Sequence, residues 1–130
     1  MKDYQPKKNK YSIPQDAYNT TLWIIRGYHR FVDIVRFESN TMKAIEYDKD
    51  HVQAFPDSDV TFRAAVKIAD CKEKINAIET ARDHIPCEYR QGVWENVLYH
   101  NRYPDDAAES TYSSYRSRFI REVADLLDIV

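Results

Sequence analysis

Only two glycines, Gly27 and Gly92, occur in 130 residues, and five prolines supply the remaining hard breaks. A β-sandwich or barrel needs turn signals at short, regular spacing, and a phosphate-cradling loop needs glycines close together. Neither can be assembled from this chain. Long patterns of helical period run between the breaks, so the chain is predicted to be all-α. Ten tyrosines and an aromatic content of 13% supply bulk for a core, although the mean hydropathy is −0.69. The expected organisation is a flexible basic arm over residues 1–13 and a single helical domain over 14–130.

No stretch approaches the roughly 18–20 apolar residues of a membrane span, and the N-terminal residues form no hydrophobic leader, so a cytoplasmic protein without membrane contact is expected. Two cysteines, Cys71 and Cys87, cannot build a disulfide framework. The net charge of −2 means that any contact with a polyanion must rest on local charge.

Pro14 opens a helix predicted to run to about Tyr47. Tyr18, Leu22, Ile25, His29 and Val32 form one apolar stripe, and Ile24, Tyr28, Phe31 and Val35 form its neighbour. Residues 46–59, with five acids and Pro56, read as a linker or bend. Asp57 or Ser58 can cap a second helix to about Ile85, with Ile68, Cys71, Ile75, Ile78 and Ile85 on one face. Pro86 ends that pattern and can open a third helix from Cys87 to about His100, with Val93, Trp94, Val97 and Leu98 turned inward. A last helix begins near Ser110 and runs to the end, with the stripe Tyr112, Tyr115, Phe119, Val123, Leu126 and Val130. The predicted architecture is thus a long N-terminal helix packed on a bundle of about three further helices.

Opposite that last stripe, Ser110 to Arg121 holds three arginines and no acid. Arg116, Arg118 and Arg121 can neutralise phosphates or pair with guanine edges, while Thr111, Ser113, Ser114 and Ser117 offer short hydroxyls to the backbone of a duplex. Lys7, Lys8 and Lys10 can add a nonspecific phosphate or minor-groove contact. A solvated polar face is the plain alternative. Along the first helix, Trp23, Tyr28, Phe31 and Phe37 exceed what one partner helix covers, so residues 18–37 serve either as a seam for a homodimer or as a surface covered by the later helices.

Cys71, His84, Cys87 and His100 have twelve, two and twelve residues between them. At about 1.5 Å per residue, Cys71 and His100 lie about 20 Å away along their helices, so no metal site is expected. Nucleophile and zinc-protease motifs are missing, and no enzyme activity or cofactor is expected.

Two stretches resemble a known family: PQDAYNTTLWIIRGYHRF over 14–31, and IPCEYRQGVWENVLYH followed by YPDDAAESTYSSYRSRFIREVADLLDIV within 85–130. They are similar to small phage and prophage proteins related to the RinA and ArpU transcriptional regulators, whose C-terminal half resembles the promoter-recognition region of a sigma factor. The shared positions are Pro86, Tyr89 and Arg90, then Thr111, Tyr112, Tyr115, Arg116, Arg118 and Phe119, then Ala124 and Leu127. The resemblance implies a helical DNA-binding regulator whose last helix recognises duplex DNA, with RNA polymerase or a phage protein as a further partner. This chain departs from the pattern between its third and last helices, where 103–109 is too short for a complete scaffold helix and turn. A second reading therefore stays open, in which the fold is a non-enzymatic protein-interaction module that uses the long N-terminal helix.

Overall fold

The computed structural model describes residue 5 and residues 10–49 and 58–130. Every regular element among them is a helix: α1 Gln15–Arg26, α2 Tyr28–Lys49, α3 Ser58–Asp83, α4 Cys87–Tyr99 and α5 Glu109–Leu126. The all-α expectation holds. The single long N-terminal helix does not, because Gly27 divides it and the 26-residue α3 is longer than either piece. The Gly27 N–H donates to both Trp23 (3.2 Å) and Ile24 (3.0 Å) carbonyls, a tightened final turn that ends α1. One residue outside helix is too short an interruption for apolar periodicity to register.

Two compact units result. The first comprises residues 1–27 and 76–130, where α1, α4 and α5 pack pairwise on one another. Its core joins Tyr18, Leu22 and Ile25 of α1 to Ile78, Ala81 and Ile85 around the end of α3, Val93 and Val97 of α4, and Tyr112, Phe119, Ile120 and Val123 of α5. Thr21 is fully buried among them and satisfies its hydroxyl by donating to the Ala17 carbonyl at 2.7 Å.

The C-terminal helix ends in this unit are closed by identifiable groups, whereas the starts of α1, α4 and α5 carry no side-chain cap. Pro14 and Pro86 each precede their helix by one residue, in extended backbone, instead of occupying its first turn. Across the corner between α3 and α4, the Arg90 guanidinium donates to the carbonyls of Arg82, Asp83 and Ile85 at 3.0–3.2 Å, satisfying acceptors that the end of α3 leaves open. His100 takes the left-handed conformation (φ 59°) that stops α4. At the end of α5, Asp128 does the same (φ 56°), with Ile129 N–H donating to Ala124 and Asp128 N–H to Asp125, a Schellman closure. The expected apolar stripe of α5 is consequently shorter than predicted: Leu126 and Val130 are exposed.

The second unit comprises residues 28–75, with α2 and the first part of α3. Glu38 meets Lys67 at 3.4 Å, and the Lys74 ammonium lies 5.3 Å from the centre of the Phe31 ring, a register in which the two helices run antiparallel. Ala64 and Cys71 are buried on α3 and Phe31 on α2. Burial, reinforced by Asp70, pushes the Cys71 thiol up, which favours its protonated form.

Gly92 of α4 is a point of close packing in the first unit. A Cβ there would lie 2.7 Å from Tyr112 Cε1 and 2.8 Å from Pro104 Cδ. Gly92→Ala offers about 1 kcal/mol in helix propensity but overpacks this contact at a cost of about 1–3 kcal/mol. Net destabilisation is expected, read as a lower urea midpoint with unchanged slope; a raised midpoint would show that the contact yields without cost.

Candidate nucleic-acid interface

Helix α5 is both structural hub and candidate interface, and the burial of its residues separates the two roles. Tyr112, Ser117, Phe119, Ile120, Val123 and Ala124 are buried. Ser110, Ser114 and Arg118 are exposed, while Thr111, Ser113, Tyr115 and Arg121 are half-buried. Spacings of four, four and three residues align Ser110, Ser114, Arg118 and Arg121 in one row on the outward side. No acid interrupts that row before Glu122.

The inward side takes two residues expected on the polar face. Ser117 is buried. Arg116 turns toward α1, where its Nη1 donates to the Tyr18 hydroxyl at 2.5 Å and its guanidinium lies 5.9 Å from the centre of that ring. The Arg116 Nε is buried without a hydrogen-bond partner. These contacts make Arg116 a strut between α1 and α5, 98 positions apart in sequence. Arg121 divides its donors, with Nη1 reaching the Ser12 carbonyl at 3.3 Å and Nε lying 3.5 Å from Asp125. Arg118 makes no hydrogen bond or ion pair among the described residues, leaving its five donors available.

Of the expected basic arm, Lys7 and Lys8 lie outside the described residues. Lys10 is exposed, with its ammonium 5.0 Å from the centre of the Tyr11 ring. Residues leading into α1 are anchored: the Gln5 side-chain amide exchanges two hydrogen bonds of 2.6 Å with the backbone of Ile13. Among residues 18–37, Tyr18, Leu22, Ile25 and Phe31 are buried, whereas Trp23 and Phe37 are exposed.

Four tyrosines set the position of α5 beside α4. Tyr112 is fully buried, stacked on Tyr103 (5.1 Å between centroids) and met edge-on by Tyr89, which also stacks on Tyr115. Tyr89 and Arg90 therefore act inside the fold, one as a wedge against α5 and the other as the closure of α3. Burial pushes the Tyr103 hydroxyl up, opposed by nearby Arg116 and reinforced by Glu109. The turn from α4 to α5 encloses a cleft of about 480 Å³ lined by Asn96, Asn101, Arg102, Tyr103, Asp105 and Glu109 among others. Its acids are Asp105 of the turn and Glu109, the first residue of α5. The start of α5 has no side-chain cap.

Among the described residues, no group of three His, Cys, Asp or Glu side chains could hold a metal ion, and no helix is long and apolar enough to cross a membrane. Comparison with family models, curated proteins and solved structures finds no match. Periodicity pointed to the α5 segment but could not divide its arginines between strut and surface. That division depends on Tyr18, a residue on another helix. Ser110, which heads the outward row, reads in the sequence equally well as a helix-start residue.

The Tyr112 hydroxyl donates to Asp106 at 2.5 Å, and this bond, followed by burial, pushes its ionisation up to about 12. The protonated ring is the form the fold holds. Its contribution to stability is fully present below the ordinary tyrosine value of about 10 and is lost as pH rises through about 12. An alkaline titration of tyrosinate absorbance should show a late ionisation, in addition to that of Tyr103, that disappears in Tyr112→Phe and moves down in Asp106→Asn. An unchanged curve in both variants would contradict the assignment.

Proposed function

We propose that this chain is a cytoplasmic, phage-derived transcriptional regulator that binds duplex DNA through the outward row of α5. The row Ser110, Ser114, Arg118 and Arg121 carries the reading. Two short hydroxyls, Ser110 beside the helix start and Ser114 one turn on, let a phosphate backbone approach closely. Arg118, exposed and without an internal partner, is the side chain best able to reach a base edge or neutralise a phosphate. Arg121 contributes from its exposed portion, Thr111 and Ser113 flank the row, and Lys10 lies on the segment that Arg121 holds. Arg116 and Ser117 support the helix from behind. The resemblance to the RinA and ArpU regulators points to the same helix and to transcription as the process.

The test is fluorescence anisotropy with a labelled mixed-sequence duplex at two salt concentrations. Binding should weaken steeply with salt, and Arg118→Ala should cost about 1–3 kcal/mol or reduce the salt slope by about 1, according to whether the arginine meets a base or a phosphate. The exposed position of Arg118 predicts unchanged helix content by circular dichroism. Affinity and slope equal to those of the parent chain, or no binding at low salt, would overturn the proposal.

A further inference from the structure

Helix α3 is apolar on two opposite sides within the second unit. Ala64 and Cys71 are buried on the side that α2 covers, while on the other side Phe62 is 69% and Val66 52% exposed, with Ala65 and Ala69 exposed between and beyond them. A contiguous apolar stripe on a charged helix marks a surface that another helix covers. From the charge pattern flanking this stripe, we infer that α3 pairs antiparallel with α3 of a second copy of this chain.

The spacing Phe62, Val66, Ala69, Glu73 is the four-three-four repeat of a coiled-coil seam. An antiparallel two-fold pairing sets Val66 against Ala69 of the second copy, large against small, and places Phe62 over the aliphatic stem of the opposing Glu73. The same register brings Arg63 opposite Asp70 of the second copy, and the two-fold axis repeats that pair. Arg63 and Asp70 are both exposed, and Lys74 engages one oxygen of Asp70, Oδ2, at 2.9 Å, leaving the other for an incoming guanidinium. Parallel pairing would set Phe62 on Phe62 and place Asp70 beside Ala65 of the second copy, leaving the Arg63–Asp70 pair unmade, so the chain's own charges select the antiparallel arrangement. A symmetric, self-complementary patch of this kind is what a two-fold dimer requires.

Sedimentation velocity of the full chain without DNA, over a hundredfold range of concentration, tests the inference. A concentration-dependent dimer is expected. Val66→Lys should weaken it, as should Asp70→Arg alone and Arg63→Asp alone, each by about tenfold in dissociation constant, and the double variant Arg63→Asp/Asp70→Arg should restore it. All three substituted positions are exposed, and circular dichroism verifies that the helices persist. A parent chain that stays monomeric throughout would overturn the proposal and leave the stripe to a different protein. A dimer indifferent to Val66→Lys would overturn it too, by locating the seam elsewhere.

Discussion

The ring of Tyr112 occupies space that α4 leaves open only because residue 92 has no side chain. That contact brings α5 close against α4 while Tyr89, Tyr103 and Asp106 hold the same tyrosine from three further directions. With the start of α5 located in this way, its next turns fall into place: Phe119 against Trp94, and Ile120 and Val123 in the shared core. Loosening the contact would free the whole helix, because the residues that align its outward face are carried on the same backbone.

Because α5 packs against both α1 and α4, much of its circumference is interior, and polar residues there need internal partners. Arg116 finds one in the Tyr18 hydroxyl, and Ser117 is covered. A half-buried guanidinium without a carboxylate beside it is tolerable where part of it still meets water, and it fixes the rotation of α5 relative to α1. That rotation is what presents Ser110, Ser114 and Arg118 outward. Two arginines two positions apart on one helix therefore have different tasks, decided by which neighbour each one faces.

Much of the fold is legible in the residues alone. Scarce glycine and long 3.6-period patterns point to helices, Pro86 marks the corner between α3 and α4, and α5 starts at Glu109, one residue before the expected Ser110. What periodicity could not supply are events decided at single residues. Gly27 breaks one helix into two without disturbing the stripe, and Asp128 ends α5 through a left-handed turn that glycine would ordinarily mark. The candidate interface was legible as a segment but not as a face: a run with three arginines and several hydroxyls looks uniformly polar until Tyr18, from far away in sequence, claims Arg116. The motif residues Tyr89 and Arg90 are likewise indistinguishable from surface residues until α5 stacks on one and the end of α3 receives the other.

The central claim is that α5 divides its arginines, with Arg116 a strut and Arg118 the group offered to DNA. The arginine Nε–Hε region of the ¹H–¹⁵N NMR spectrum reads both in one titration with duplex DNA. The account predicts that the Arg118 signal shifts or broadens as duplex is added while the Arg116 signal, buried behind the helix, stays in place. Movement of Arg116 with Arg118 unchanged would contradict it.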